Sequence, residues 1–351
     1  MRIAYVAHVN GGSESGVAVK LAGQVARWRR HGRIVRVFIV TRDEPSSWIA
    51  RLGDAVVSRY GGGISRLRAF SPMVRAVRDF DPDLVYLRWD LFYPAMLRFP
   101  RRAPLVVEVS TDDLREYALG SRIRARHNAL TRHLVLGRAR ALVFVTSELS
   151  RLPSFRRFAG VRRVITNGID LAAYPELPRP MSSTPRLVFV GTSSQPWQGV
   201  DKLISLAGIR TDWHFDIVGE RADGEHENVR WHGELKRAEL LEVLARAHVG
   251  VGPLALHRNG MEEASPLKVR EYLAVGLPIM VGYVDADTAD LEENTLRLPN
   301  AESNVIGQLD RIVEFVERAR GLRVPRQEVE HLGMERKEEQ RLALFDEIAQ
   351  R

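Results

Sequence analysis

The chain opens with MRIAYVAHVNGGSESGVAVKLAGQVARWRRHGRIVRVFIVT at residues 1–41, and this stretch contains one complete structural unit. Apolar runs at 3–9 and 35–41 predict two strands, and the glycine-containing loop NGGSESG at 10–16 follows the first of them. Residues 17–31 carry apolar side chains at spacings of three and four, which predicts an amphipathic helix. A strand, a helix and a further strand in succession form the repeating unit of a parallel α/β sheet.

The same plan recurs along the chain. Apolar runs at 84–87, 104–109 and 141–145 are separated by arginine-rich stretches of helical character. A proline- and serine-rich stretch at 174–186 then suits neither a helix nor an interior strand. A second strand, glycine-containing loop and helix begin directly after it, at 186–204. The pattern predicts two doubly wound, Rossmann-like α/β domains.

We place the first domain at residues 1–170 and the second at 171–334, and we expect a helix at about 335–351 to pack back on the first. Open parallel sheets bind their ligands outside the carboxyl ends of the strands. Functional residues are therefore expected in the loops that follow the strands.

Composition excludes several classes of protein. The 351 residues are 45% hydrophobic and 27% charged, which is typical of globular proteins rather than fibrous or disordered chains. The absence of cysteine excludes disulfides, thiolate metal sites and cysteine nucleophiles. The apolar run near the N-terminus is too short for a signal peptide or a membrane span. A cytoplasmic location is the expectation.

The two halves of the chain carry opposite charge. Residues 1–180 hold 31 Lys and Arg against 15 Asp and Glu, whereas residues 181–351 hold 21 against 29. Only five of the 52 basic residues are lysine, so the positive charge is almost entirely arginine. Arginine binds phosphate and carboxylate through a planar fork. The first domain is therefore expected to meet an anionic partner, and nucleic acid, an anionic membrane and a phosphorylated substrate are the alternatives.

The most informative short stretch is EEASPLKVREYLAVGLP at 262–278. Ser265 followed by Pro266 predicts a helix N-cap and first helical residue, which puts Lys268 in the first turn and Glu271 one turn later. A lysine at this end opposes the helix dipole unless an anion is bound there. The stretch thus predicts a phosphate site, the alternative being a solvated Lys268–Glu271 pair on a surface helix.

These motifs resemble the retaining nucleotide-sugar glycosyltransferases of family 4. The resemblance spans most of the chain and implies the GT-B architecture, in which two Rossmann-like domains face each other across a deep cleft. It implies a nucleotide-sugar donor in the second domain and an acceptor in the first. The stretches that carry it are NGGSESGV (10–17), VITNGID (164–170), VGTSSQPWQGVDKLI (190–204), FDIVGE (215–220), NVRWHGEL (228–235) and EASPLKVREYLAVGLPI (263–279).

The resemblance also implies roles for individual residues. Glu271 would hold the hydroxyls of the donor ribose, and Glu263 would be catalytic beside the donor sugar. Loop glycines such as Gly12 and Gly16 would let the backbone approach a diphosphate, although an ordinary tight turn explains them equally well. Their spacing does not fit a dinucleotide site. Other donor-binding residues would be Thr192, Gln198, Lys202, His257, Arg258, Ser265, Pro266, Leu267 and Lys268.

One departure from the family concerns the first loop of the second domain. Many members place an arginine and a lysine there, but Thr192 and Gln198 occupy those positions here. A diphosphate bound without metal needs several charged donors. Lys268 is the best candidate to compensate, with Arg258 or Lys202 as alternatives.

Acceptor residues are expected after the strand PLVVEV (104–109), where the family's frequent histidine is missing. Glu108 or Asp112 is a candidate to orient an acceptor hydroxyl catalytically, the alternative being a loop cap or an arginine partner. The basic stretches at 66–79 and 121–141 suit an anionic lipid surface or, equally, a solvated helix face. Candidate acceptor-binding residues are Arg88, Trp89, Ser110, Thr111 and Asp113.

The resulting hypothesis is a retaining, metal-independent hexosyltransferase that moves a sugar from a UDP-, GDP- or other nucleoside diphosphate sugar to a hydroxyl of a glycan or lipid-linked acceptor. The enzyme would act in cell-surface or lipid-linked glycan assembly, at the inner face of the membrane, without a cofactor. Nucleic acid is not an expected partner, because no known binding motif occurs. The alternatives are a GT-B nucleotide-sugar epimerase and an inactive homologue that acts as a binding protein.

Overall fold

The computed structural model describes residues 1–10, 16–42, 49, 52–62, 65–191, 195–219 and 226–350. The chain folds into two compact units, residues 1–166 with 334–351 (unit 1) and residues 167–333 (unit 2). The division lies between Thr166 and Asn167, slightly before the predicted boundary. The last helix belongs to unit 1.

The described part of unit 1 contains a seven-stranded parallel sheet. Its strand order is β3-β2-β1-β4-β5-β6-β7, so the winding changes direction between β1 and β4. The strands are β1 (Arg2–His8), β2 (Ile34–Thr41), β3 (Ala55–Arg59), β4 (Leu84–Arg88), β5 (Leu105–Val109), β6 (Ala139–Phe144) and β7 (Val161–Val164). The helices are α1 (Gly16–Arg30), α2 (Ser65–Phe80), α3 (Asp113–Gly120), α4 (Arg122–Thr131), α5 (His133–Leu136), α6 (Ser147–Arg151) and α7 (Pro153–Arg156).

The sheet of unit 2 has six parallel strands among the residues that the structure describes. Its order is β10-β9-β8-β11-β12-β13, and the winding changes direction between β8 and β11. The strands are β8 (Arg186–Val190), β9 (His214–Val218), β10 (Val229–Gly233), β11 (Val249–Val251), β12 (Ile279–Val281) and β13 (Thr295–Arg297). The helices are α8 (Val200–Ile209), α9 (Arg237–Arg246), α10 (Leu267–Ala274) and α11 (Leu309–Ala319).

The last helix, α12 (Met334–Ala349), packs against α1 through aromatic side chains. The ring of Phe345 meets Trp28 edge-on with centroids 5.0 Å apart, and Trp28 stacks on Tyr5 of β1 at 5.3 Å. All three rings are buried. Buried aromatic area of this kind fixes α12 on unit 1.

Both sheets are parallel and enclosed by helices, which confirms the prediction of two doubly wound α/β domains. The changes of winding direction mark the sheet edges where ligands bind in folds of this class: the carboxyl ends of β1 and β4 in unit 1, and of β8 and β11 in unit 2. None of the described helices is long and apolar enough to cross a bilayer.

Candidate active site

Glycines follow two neighbouring strands at the carboxyl edge of the unit 2 sheet. Gly191 comes directly after β8 and Gly219 directly after β9, with φ angles of 149° and 114°. A Cβ on Gly191 would collide with Nζ of Lys268, and a Cβ on Gly219 would collide with the carbonyl oxygen of Gly191. Only glycine fits at either position. The ammonium of Lys268 therefore lies directly against Gly191 at this edge of the sheet.

Lys268 lies in the first turn of α10 and points its ammonium group over the end of β8. Its Nζ donates a 2.8 Å hydrogen bond to Oε1 of Gln198 and lies 4.1 Å from the centroid of the Phe189 ring. Burial lowers the pKa of Lys268 to about 7, and the charge of Glu271 only partly opposes this. An arriving anion would restore full protonation and bind the ammonium.

The start of α10 differs from the prediction by one residue. The N-cap is Pro266, without a side-chain cap, and the helix begins at Leu267. Ser265 is not the N-cap, because its hydroxyl accepts hydrogen bonds from the backbone N–H of Asn167 at 3.0 Å and from Arg270 at 2.9 Å. The hydroxyl is engaged in the core, so the first backbone N–H groups of α10 have no side-chain cap.

A buried ion network anchors the segment that leads into α10. Arg270 is fully buried and pairs with both carboxylate oxygens of Asp285, and its Nη2 lies 2.8 Å from Oδ2 of Asp287. Its Nε also donates to the carbonyl oxygen of Asn167 at 3.2 Å. Breaking a buried pair of this kind leaves a charge without compensation. The network therefore holds the first turn of α10, and with it Lys268, in place.

Glu271 lies one turn after Lys268 on the same face of α10. Oη of Tyr174 donates a 3.0 Å hydrogen bond to its Oε1, and the guanidinium of Arg237 lies 4.3 Å from the centroid of the Tyr174 ring. The backbone of Glu263 forms an isolated parallel β-bridge with Val284, which positions the residue, and its side chain is partly exposed. The resemblance pointed to the two glutamates but not to Tyr174. The tyrosine follows VITNGID by four residues, and that proximity is the only sequence signal for it.

The two basic residues offered as alternatives to Lys268 are engaged elsewhere. Nζ of Lys202 is buried and donates to the carbonyl oxygen of Ala301 at 2.7 Å and to Oδ1 of Asn304 at 3.1 Å. Arg258 forms a two-bond pair with Asp201, at 2.8 Å for each bond, and also pairs with Glu302. These contacts favour a structural role for Lys202 in unit 2 over the predicted role as a diphosphate ligand.

The other residues predicted to bind the donor lie in different parts of the structure. His257 Nε2 lies 2.7 Å from Oε2 of Glu302, so it belongs to the cluster around Arg258. Gly16 is the first residue of α1. Gln198 ends a short 3-10 turn ahead of α8 and meets Lys268 as described. Gly12 and Thr192 lie outside the described residues.

In unit 1, Glu108 is buried rather than available to an acceptor. Its carboxylate accepts hydrogen bonds from Lys20 Nζ at 2.8 Å and from Tyr86 Oη at 2.7 Å, and lies 3.4 Å from Arg341 of α12. Burial alone would raise the pKa of Glu108, but the charges of Lys20 and Arg341 outweigh it and lower the pKa to about 2. The carboxylate is enclosed and already paired, which favours the alternative given for Glu108, an arginine partner, over the predicted catalytic role.

Two other predicted acceptor-binding residues, Trp89 and Asp113, contact each other in the core of unit 1. Asp113 is buried and paired with Arg132 through bonds of 2.6 and 2.8 Å. It also accepts a 3.0 Å bond from the indole N–H of Trp89. Asp112 accepts from the backbone N–H of Leu114 at 3.2 Å and so caps α3. Asp112 thus has the role of a cap, which was the alternative to its predicted catalytic role, and Asp113 is the partner of an arginine. Arg88, Ser110 and Thr111 lie partly buried at the carboxyl ends of β4 and β5.

A second polar cluster occurs where the unit 1 sheet changes direction, and the sequence analysis singled out none of its side chains individually. Nδ1 of His8, the last residue of β1, lies 2.9 Å from Oδ2 of Asp90, just beyond β4. Oη of Tyr117 donates to Oδ1 of Asp90 at 2.6 Å, and Arg66 pairs with the same carboxylate. Nε2 of His8 lies 2.7 Å from Oη of Tyr60. The sequence signal for this cluster was the position of two polar residues: His8 lies at the end of a strand and Asp90 follows a strand.

Comparisons with known proteins agree with the two-domain fold. The family described as "Glycosyl transferase 4-like domain" matches residues 15–168, and "Glycosyl transferases group 1" matches residues 184–319. The sucrose-phosphate synthase of Thermosynechococcus elongatus has a similar structure, with a TM-score of 0.70 at 18% identity over 99% of this chain and 98% of that one. The chain is a glycosyltransferase of the GT-B fold.

Two further structures resemble this glycosyltransferase over its whole length. One is a glycosyltransferase from Rickettsia africae, with a TM-score of 0.65 and 12% identity over 99% of this chain and 98% of that one. The other is HepE of Anabaena in complex with UDP and glucose, with a TM-score of 0.64 and 16% identity over 99% and 100%. No curated protein matches by sequence. Within the described residues of the glycosyltransferase, no three His, Asp or Glu side chains group as a metal site would require.

Proposed function

We propose that this glycosyltransferase takes a nucleoside diphosphate sugar as donor, bound at the carboxyl edge of the unit 2 sheet, and transfers the sugar with retention and without a metal ion. The observation that carries the proposal is the position of Lys268. Its ammonium lies against Gly191, at the edge of the sheet where the winding changes direction. It donates a hydrogen bond to the uncharged side-chain amide of Gln198.

The chemistry of such a reaction requires stabilisation of the departing diphosphate. Negative charge accumulates on the leaving phosphate as the glycosidic bond breaks, and positioned donors lower that barrier. Lys268 and the N-terminal N–H groups of α10 provide a cation and a helix dipole at one place. A carboxylate such as Glu271 accepts hydrogen bonds from two hydroxyls. We therefore assign Glu271 the role of binding the ribose hydroxyls of the donor, and we propose that Glu263 lies beside the transferred sugar.

The acceptor proposal rests on the surface of unit 1. Helix α4 exposes Ile123 and Leu130, which are 83% and 64% accessible and lie two turns apart on one face. Arg122, Arg124 and Arg126 are exposed on the same helix. Apolar side chains ringed by arginine favour an anionic lipid surface. We therefore propose that the enzyme works at a membrane face on a lipid-linked glycan acceptor.

Calorimetric titration with UDP, GDP, ADP, TDP and CMP in EDTA tests the donor site. We expect one diphosphate to bind selectively, and we expect Lys268→Ala and Glu271→Ala each to remove that binding. Lys236→Ala, which deletes an exposed lysine of the same unit, is the matched control and should bind as the wild type does. If no nucleotide binds, or if binding survives both site variants, the proposed donor site is wrong. Once a donor is found, the anomeric configuration of the product by NMR decides retention.

A further inference from the structure

A cavity of about 480 Å³ opens on unit 1 at the amino edge of its sheet. The lining comes from two segments, the last turns of α2 and the loop that leads into β5. Because the described strands are all parallel, the start of β5 lies opposite the carboxyl edge, where substrates bind in folds of this class. The residues that line this arginine cavity are Arg75, Arg78, Asp79, Pro100, Arg101 and Arg102.

Three of the four arginines in the cavity lack an acidic partner. Within the part of the chain that the structure describes, Arg75, Arg78 and Arg101 form no ion pair and no side-chain hydrogen bond, and all three are exposed. Arg102 differs from them, because it pairs with Asp81 just beyond the end of α2. The cavity therefore presents three guanidinium groups that the described residues leave unpaired.

Capping of α2 does not engage these arginines. A basic side chain near the end of a helix often bonds the last carbonyl oxygens. In α2 that role belongs to Arg2, whose Nη2 donates to the carbonyl oxygen of Phe80 at 2.5 Å and whose Nε donates to that of Asp81 at 3.2 Å. Arg75 and Arg78 lie three residues apart, where like charges face each other on a helix. Their donors are therefore available to an anion from solution.

The composition of the lining indicates the chemical class of that anion. Guanidinium groups bind phosphate oxygens through paired, charge-assisted N–H donors. The carboxylate of Asp79 offsets part of the positive charge and repels any anion, so a singly charged one gains little. Pro100 is the one apolar residue of the lining, which leaves little surface on which a base or an acyl chain could pack. Linked phosphates supply both the charge and the acceptor oxygens that three guanidinium groups require.

The size of the cavity favours a soluble ligand over a membrane surface. Its volume falls within the range of roughly 300–1,000 Å³ that is typical of small-molecule sites. A phospholipid bilayer spreads its phosphates over a broad surface, whereas a cavity lined from two segments surrounds a compact ligand on more than one side.

We propose that the arginine cavity binds a soluble ligand with two or more linked phosphates, held by Arg75, Arg78 and Arg101. The inference goes beyond the proposed transferase function, because the cavity lies at the edge of the unit 1 sheet opposite the one where substrates are expected. Its ligand is therefore neither the sugar donor nor the acceptor.

Calorimetric titration of the full chain with tripolyphosphate, at low ionic strength where exposed charges are least screened, tests the proposal. We expect saturable binding that weakens as salt is added. Replacing Arg75, Arg78 and Arg101 together by glutamine (the cavity variant) should weaken it at least about tenfold, since each exposed ion pair contributes up to about fivefold. Inorganic phosphate, which engages fewer guanidinium groups, should bind about tenfold more weakly than tripolyphosphate.

Two further variants separate this site from net charge and from the donor site. Replacing Arg68, Arg140 and Arg156 by glutamine removes the same charge from exposed positions of unit 1 outside the cavity, and this control variant should bind tripolyphosphate as the wild type does. Lys268→Ala should also keep this binding, because the proposed donor site lies in unit 2. Thermal melts report whether each variant is folded.

The inference is overturned if tripolyphosphate does not bind, if the cavity variant binds it as tightly as the wild type, or if the control variant loses as much. It is also overturned if Lys268→Ala abolishes binding, since the probe would then occupy the donor site. A cavity variant that loses binding to phosphatidylglycerol vesicles but keeps tripolyphosphate binding would assign the arginines to a lipid surface instead. Nucleotide titration of the same samples is a separate result, so failure of the donor proposal is recognised independently.

Discussion

Oη of Tyr174 donates a 3.0 Å hydrogen bond to Oε1 of Glu271, and Tyr174 itself is buried beneath the guanidinium of Arg237. The tyrosine comes from the segment that opens unit 2, whereas the glutamate lies on α10. The bond therefore fixes the rotamer of the carboxylate to which we assign the ribose.

Removing that hydroxyl is expected to weaken recognition of the ribose. Tyr174→Phe frees the carboxylate of Glu271 to rotate, so we expect affinity for the selected ribonucleoside diphosphate to fall about fivefold. The 2′,3′-dideoxy analogue makes no such contact and should bind both forms equally. Calorimetry with the two nucleotides measures the difference. Equal losses for both nucleotides would show that Tyr174 acts only on the fold.

Donor binding should depend on pH through Lys268. Burial lowers the pKa of this lysine to about 7 in the free protein, and a bound diphosphate would raise it by favouring the charged form. Binding then takes up a proton above pH 7, so affinity should be constant below that pH and fall as the pH rises, by up to about tenfold per unit. An intact nucleotide sugar is the suitable ligand, since its diphosphate does not ionise in this range. Lys268→Ala should lose the pH dependence together with most of the affinity.

Gly191 offers a steric test of the same site. Gly191→Ala would place a methyl group against Nζ of Lys268 at a φ of 149°, where L residues are strained. We expect nucleotide affinity to fall by an order of magnitude or more, about 1.4 kcal/mol for each tenfold, in a protein that still folds. Gly307→Ala, in the same unit with open space around the added Cβ, is the control. Calorimetry measures the nucleotide affinity of both variants, and a thermal melt reports whether each is folded. Unchanged nucleotide affinity in Gly191→Ala would contradict the proposed donor site.

The buried cluster around Glu108 is predicted to contribute to stability rather than to catalysis. Glu108→Gln leaves Lys20 and Arg341 without their shared carboxylate, and we expect a loss of about 3–5 kcal/mol in the free energy of unfolding. The folded-state pKa of about 2 lies below the ordinary value, so this stabilisation is present above about pH 4.5 and disappears as the pH falls towards 2. Urea unfolding as a function of pH measures both effects. Nucleotide binding to the folded variant should remain, and its loss would argue for a role beyond stability.

Membrane binding is predicted to depend on α4. The triple substitution of Arg122, Arg124 and Arg126 by alanine should reduce binding to phosphatidylglycerol liposomes by roughly two orders of magnitude, because each basic residue near an anionic surface contributes about 1 kcal/mol. Substituting the exposed Arg75, Arg78 and Arg101 removes the same charge from another part of unit 1. Liposome flotation of both triple variants separates a specific surface from net charge. Equal losses in both would leave only the overall positive charge as the cause.

Much of the architecture could be predicted because it depends on neighbours in the chain. The alternation of apolar runs and amphipathic helices, and the proline-rich break before β8, require only local spacing. The same holds for the donor segment, where Lys268 and Glu271 occupy one face of a helix because they lie three residues apart. The N-cap was misplaced by one residue, since the hydroxyl of Ser265 is taken by Asn167, 98 positions away.

What the sequence determined by itself was the pair of parallel α/β domains and the stretch that carries Lys268. Tertiary structure alone decided which charged side chains are free to meet a substrate. Glu108 and Asp90 both follow the pattern of a carboxylate near the end of a strand, yet the former is enclosed by Lys20 and Arg341, 88 and 233 residues away, and the latter is partly exposed in a polar cluster. Desolvation and ion pairing depend on which distant side chains arrive at a site, and local spacing does not contain that information.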